Sequence, residues 1–395
     1  MTNHTRLASH HRLPAAVWVL VIARGVNRLG AFTLPFLAVV LTVELGASLA
    51  QAGLVLTVFG LATLPSRVFG GHLADRLGRR WTIVVGLIGC AVGQVWIAAS
   101  GSLWSAVPTV VVLGLAFEIY EPPSQAIIAD VTEPADRPAA YGLLGAVMAV
   151  AAVVAGLLAA WLGQWDLRWL FVADAVSCLA CAVLVAVALP GGKQVAPAAA
   201  AVWRDRRLLW VLGSGTVFAV LAMVLVFGLP LTLLDRGVSA SGVGIVLAVS
   251  AIAQVAVQPV LRSSRLQALD DFQALTLGYV LLGAGLIANG FSHSLPAFLA
   301  AAVVWSLGDL ILVGRALSVV AELAPEHARG RYLATYGLSW GIATAVAPLI
   351  GTQLLSVVGP TGLWIGCGAA ACILAILQPK LRRLVRSQPS LLGIE

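Results

Sequence analysis

Twelve predominantly apolar stretches, each about the length of a bilayer-crossing helix, follow one another along this chain with only short polar breaks. At a rise of about 1.5 Å per residue, a helix needs about 20 such residues to cross the hydrocarbon. Helices and closed barrels alone satisfy their backbone hydrogen bonds there, so runs of this length dictate helices. The runs are 14–42, 48–69, 81–101, 105–128, 139–162, 168–189, 208–234, 240–262, 272–291, 296–320, 333–358 and 361–378. Only 10% of the residues are charged and 60% are hydrophobic, and a mean hydropathy of +0.97 demands a lipid solvent. The expected fold is an all-α membrane protein with 12 transmembrane helices.

Lysine and arginine set the expected orientation. With both termini cytoplasmic, nineteen of the 24 basic residues lie on the inner side and only Arg168 and Arg236 outside, while Arg24, Arg28 and Arg315 fall within spans. The net charge of +7 is thereby a matter of topology. No aromatic-interleaved basic patch points to nucleic acid. The polar, basic first 13 residues precede a run too long for a signal-peptide core, so that run is expected to remain as the first span. Cys90, Cys178, Cys181, Cys367 and Cys372 all sit in apolar runs and read as small packing residues, with no metal site expected. A polar linker, 191–207, separates an N-terminal six-helix bundle, 1–190, from a C-terminal one, 208–395, with a short basic tail. The two are pseudo-repeats: IIADVTEPADR at 127–137 matches VVAELAPEHAR at 319–329, aligning Asp130 with Glu322 and Arg137 with Arg329.

Between the second and third runs lies GGHLADRLGRR, Gly70 to Arg80, which reads as a short basic turn. Gly71 permits close approach to a neighbouring helix, and Gly78 supplies a turn that a Cβ would obstruct. The stretch resembles the signature of the major facilitator superfamily, matching at Gly71, Leu73, Ala74, Asp75, Arg76, Gly78, Arg79 and Arg80. A degenerate copy, LRSSRLQALDD, stands at 261–271. The resemblance implies the major facilitator fold and a rocking transporter with its site between the halves near midplane. It further implies a cytoplasmic gate of Gly71, Asp75, Arg76, Gly78, Arg79, Arg80, Asp130, Arg137, Glu322 and Arg329, with Asp75 docking near the start of helix 11. The three arginines of the motif read equally as topology determinants. Within that superfamily the chain is similar to the 12-helix drug/proton antiporter branch, but it departs from that branch in carrying glutamates in helix 4 and no proline in helix 5.

Ionisable groups at membrane depth are costly and therefore functional candidates. Arg24, Glu118 and Asp309 lie about 15–16 Å from the inner ends of helices 1, 4 and 10. In the superfamily that the chain resembles, helices 1, 4, 7 and 10 line the central cavity, so the resemblance implies an Arg24–Glu118 pair with Asp309 opposite. Arg24, Asn27 and Arg28 share one helical face, as do Glu118, Glu121 and Gln125, where Pro122-Pro123 should kink or break the helix. The proton-coupling candidates are Glu118, Asp309, Glu121 and Arg24; a fixed ion pair between helices 1 and 4 is the alternative. Asn27, Arg28, Gln125, Arg315, Tyr336 and Trp340 are substrate-binding candidates. Asp174 sits early in helix 6, which is peripheral in the superfamily that the chain resembles, and the resemblance implies a structural or interfacial role.

The expected function is proton-coupled export of small amphipathic or hydrophobic molecules by a monomer in the plasma (inner) membrane, contacting lipid and using no cofactor. No phosphate-binding loop or nucleophile–base constellation suggests an enzyme. One rival is a carrier of an anionic or polar metabolite with membrane-embedded arginines as clamps. Another is a lipid-handling or sensor protein with a transporter fold.

Overall fold

The computed structural model describes residues 14–30, 32–132, 137–189, 205–261, 266, 268–325 and 329–387. Among them every regular element is a helix. The first eight are α1 (Ala15–Leu29), α2 (Thr33–Val39), α3 (Leu49–Leu77), α4 (Arg79–Ala99), α5 (Leu103–Phe117), α6 (Glu121–Val131), α7 (Arg137–Leu162) and α8 (Arg168–Ala188). The remainder are α9 (Arg206–Asp235), α10 (Ala240–Leu261), α11 (Asp271–Phe291), α12 (Leu295–Leu323) and α13 (Arg329–Ser387). Among the described residues, ten helical stretches are long and apolar enough to cross a membrane, and α5 is a shorter apolar one. Their outward faces are apolar too: Val187, Val357 and Ile376 stand almost fully exposed, a surface suited to lipid. Exposed tryptophans mark both rims, with Trp104, Trp161 and Trp165 at one end and Trp81 and Trp210 at the other.

Helix ends follow local chemistry. Ser48 and Gln51 form a reciprocal capping box that starts α3, and Asp270 and Gln273 do the same for α11. The expected turn at 70–80 is mostly helix: α3 continues through the motif to Leu77, and α4 begins at Arg79. The hinge shrinks to Gly78, whose φ of 81° and ψ of 158° are open only to glycine. Thr82 then donates to the Gly78 carbonyl from its backbone N–H (3.1 Å) and its hydroxyl (3.0 Å). The last two runs, numbered together as α13, are two helices that meet without a loop at Gly359, whose φ of 68° and ψ of 179° are non-helical, just before Pro360; the second extends through the basic segment to Ser387.

Two runs break instead of continuing. The first stops at Leu29 and resumes at Thr33, ending in a π-helical turn, Val40–Glu44. At the break, a Cβ on Gly30 would collide with Ser177 Oγ and the Asp174 backbone of α8. The fourth stops at Phe117 and restarts at Glu121, because Pro122 and Pro123 lack the N–H groups that would reach back to the carbonyls of residues 118 and 119.

Helices α1–α8 pack on one another (α1 on α7 and α8, α3 on α5, α4 on α5 and α8), as do α9–α13 (α9 on α13, α11 on α12 and α13, α10 on α12). The two groups meet where α2 touches α9, α3 touches α13 and α7 touches α10. Glycines bring these backbones together: Gly60 against Thr344 and Ala345, Gly156 against Ala248, and Gly244 against Ala160.

Candidate functional site

Both helix breaks open onto one cavity of about 440 Å³. Its charged lining is Arg24, Arg28, Glu121 and Asp174, and its apolar walls include Phe32, Phe117, Met148, Met223 and Leu247. Arg24 Nη2 pairs with Glu121 Oε1 at 3.1 Å, and its guanidinium lies 5.4 Å from the centre of the Tyr120 ring. Arg24 Nη1 is a buried donor with no partner. The expected pairing with Glu118 is corrected here. With the helix broken, Glu118 becomes the C-cap residue of α5, where its backbone N–H donates to Ser66 Oγ (3.1 Å). The turn carries Glu121 toward α1 instead, and the Glu118 carboxylate reaches Arg24 through its field. Glu121 itself opens α6, where the free N–H groups favour a carboxylate.

From this ion pair a line of hydrogen bonds runs across the cavity wall. Tyr120 OH donates to Asn27 Oδ1 (3.0 Å), Asn27 Nδ2 donates to Cys178 Sγ (3.3 Å), and Cys178 Sγ donates to Asp174 Oδ1 (3.6 Å). Asp174 Oδ2 also accepts from Thr33 Oγ1 (2.8 Å) and Gln94 Nε2 (2.7 Å). Reading Asp174 as structural or interfacial, from its place in the sequence alone, did not place it on the cavity: α8 closes the cavity beside the α1–α2 break, and Asp174 lines it. Its signal was an acid within an apolar run. Gln94 and Thr33 carried no comparable signal.

Of the expected substrate-contacting residues, Asn27 and Arg28 line the cavity. Three others do not. Arg315 is engaged with Asp271 (2.7 Å) and the Leu266 carbonyl (3.0 Å), tying α12 to the start of α11. Tyr336 fills the notch left by Gly215, and Trp340 packs edge-on against Phe218, both holding α13 to α9. Asp309 is also absent from the cavity lining; it lies half-buried in α12 with no hydrogen bond or ion pair among the described residues. The supposed Arg24–Glu118–Asp309 set is therefore not assembled.

In the expected gate, Arg80 donates to the Ala186 carbonyl near the end of α8 and stacks on Trp81, 5.2 Å from its ring centre. Arg76 is exposed, and Glu322 borders a second cavity beside Asp270 and Asp271. The surroundings of Gly71 and the side chains of Asp75, Gln125, Asp130, Arg137 and Arg329 lie outside the described residues, as does the linker over 190–204.

The sequence profile of the Major Facilitator Superfamily matches residues 20–262 and 211–392, nearly the whole chain between them. The chain belongs to this superfamily. Among curated relatives, it is 26% identical over 329 residues to the multidrug resistance protein MdtH of Klebsiella pneumoniae (strain 342), covering 81% of this chain and 82% of that protein. It is 24% identical over 358 residues to YhjO of Bacillus subtilis (strain 168), described as an uncharacterized MFS-type transporter, covering 87% of each. Among solved structures, a POT family transporter in complex with 5-aminolevulinic acid superimposes with a TM-score of 0.79 at 14% identity, covering 93% of this chain and 97% of that one. A bacterial homologue of the human lysosomal transporter Spinster, in an inward-facing and occupied conformation, gives 0.71 at 15% identity, over 94% and 96%. At such identities these structures speak for the fold alone.

Proposed function

We propose that this superfamily member is a secondary active transporter that exports small amphipathic or hydrophobic molecules by alternating access, driven by protons. Counting α1 with α2 as one span, α5 with α6 as one and α13 as two gives twelve spans, with both ends cytoplasmic as the basic residues demand. The units that rock are α1–α8 and α9–α13, and the gate at the α3–α4 joint couples them. The observation that carries the reading is the Arg24–Glu121 pair in a cavity with otherwise largely apolar walls. A proton arriving on Glu121 releases Arg24, and a substrate or a conformational change restores the pair, so charge and cargo are exchanged at one place. The MdtH relatives, named for multidrug resistance, support the cargo class. In proteoliposomes, Glu121→Gln is expected to abolish substrate-driven proton movement while Glu118→Gln retains it. Intact coupling in the Glu121 variant overturns the assignment.

A second reading is favoured by Arg28, whose guanidinium reaches the cavity with no hydrogen bond or ion pair among the described residues. As an anion clamp it makes the cargo an anionic or polar metabolite. Arg28→Ala then raises the KM for that metabolite at least tenfold and leaves amphipathic cations unaffected.

A further inference from the structure

Asp174, Gln94 and Thr33 stand together on the cavity lining, hydrogen-bonded to one another. Asp174 is 4% exposed and receives neutral donors, the side chains of Thr33, Gln94 and Cys178 among them, but no cation among the described residues. Gln94, 2% exposed, spends its Nε2 on Asp174 and Thr33, which leaves Oε1 a buried acceptor with no donor. Both residues line the cavity together with Thr33. A buried carboxylate without a counter-charge and a buried carbonyl without a donor are both costly. A primary ammonium answers both, since its charge compensates the Asp174 carboxylate while its N–H donors suit Gln94 Oε1 and Thr33 Oγ1.

We infer that Asp174, Gln94 and Thr33 form a subsite for the protonated amine of an amphipathic substrate, with the apolar body lying against Phe117, Met148, Met223 and Leu247. The inference rests on the proposed export of amphipathic molecules and narrows their class. Asp174 and Gln94 thereby become specificity-determining residues on α8 and α4, separate from the Arg24–Glu121 pair.

The test is saturable binding of three fluorescent probes to the full chain in lipid nanodiscs, with empty nanodiscs subtracted. The probes are a dansyl-alkyl primary amine, its trimethylammonium analogue and its N-acetylated, uncharged analogue. For the unaltered protein, the primary amine binds about tenfold tighter than the trimethylammonium probe, which in turn binds tighter than the acetylated one. Gln94→Met removes the primary amine's advantage over the trimethylammonium probe. Asp174→Asn brings both cations down to the acetylated level and leaves the acetylated probe unchanged. Equal binding of all three probes to the unaltered protein overturns the subsite while leaving amphipathic export standing, and assigns Asp174 the purely structural task of pinning the α1–α2 break. If no probe binds, the amphipathic reading falls and the subsite with it. Should Asp174→Asn fail to fold, the probe ranking in the unaltered protein and in Gln94→Met still decides.

Discussion

An arginine within a bilayer persists where its charge is shared, and Arg24 shares its charge with Glu121 while leaving one donor free. Replacing Glu121 by Gln strands that guanidinium. Because the Glu121 side chain is 40% exposed, the expected loss of stability is about 1–3 kcal/mol, between the cost of breaking a surface pair and a buried one. Thermal unfolding measured alongside transport separates this cost from lost coupling. A second residue-level expectation concerns Asp205 at the head of α9. Burial alone would raise its carboxyl, but hydrogen bonds from Arg207 (3.2 and 3.1 Å) and Tyr332 (2.9 Å) outweigh burial and hold it below the usual carboxylate range. A group depressed in the folded state contributes stability above its unfolded value of about 3.9 and loses it as the pH falls through the folded value. The unaltered protein should therefore lose melting temperature on acidification below about pH 4 more steeply than Asp205→Asn. Parallel acid limbs would contradict the assignment. At this scale the sequence revealed which residues were ionisable inside apolar runs, but not their partners. Glu121 meets Arg24 because of a break in the helix, and Asp174 becomes a cavity residue only because a distant segment unwinds beside it.

Among the helices, the apolar runs revealed nearly every element, and Pro122-Pro123 revealed the break in the fourth run. The break after Leu29 was not legible, because its cause is tertiary: Gly30 sits where α8 leaves no room for a Cβ, and glycines occur in many unbroken membrane helices. The motif at 70–80 was recognisable, yet its shape was not. Its polar residues suggested a turn, whereas helix propagation through Leu77 leaves only Gly78 to reverse the chain. Gly78→Ala is expected to cost about 1–3 kcal/mol, because its φ and ψ lie in a region closed to side chains, and melting in lipid nanodiscs checks it. A clamp of another kind holds the opposite rim. Arg236 donates to the carbonyls of Asn289 (2.8 Å), Ser292 and Gly290 (2.6 Å), closing the end of α11, and to Thr361 Oγ1 (3.1 Å) just past the Gly359 junction in α13. Such charged hydrogen bonds to helix-terminal carbonyls contribute about 1.5–3 kcal/mol. Arg236→Ala should lower the melting temperature accordingly without changing substrate affinity.

For the whole molecule, the seam between the two helix groups depends on missing side chains. A Cβ at Gly60 meets backbone of α13, and one at Gly244 meets backbone of α7, so neither obstacle can rotate away. Gly60→Leu together with Gly244→Leu should drive the groups apart at this seam. Spin labels on the exposed positions Gln51 and Val357 would report it as a longer distance population by pulsed electron resonance; an unchanged distribution would refute the role of the seam.

The charged groups lining the cavity, Arg24, Arg28, Glu121 and Asp174, all belong to α1–α8, and this has a mechanical consequence. If the groups rock as proposed, the cargo is a passenger seated in one of them, while the other slides past as a largely uncharged shutter. Recognition then need not be rebuilt on each stroke, and it should be inheritable as a block. A chimera keeping residues 1–190 of this chain and taking its second half from a superfamily relative would keep this protein's cargo preference, whereas the reciprocal chimera would acquire the relative's.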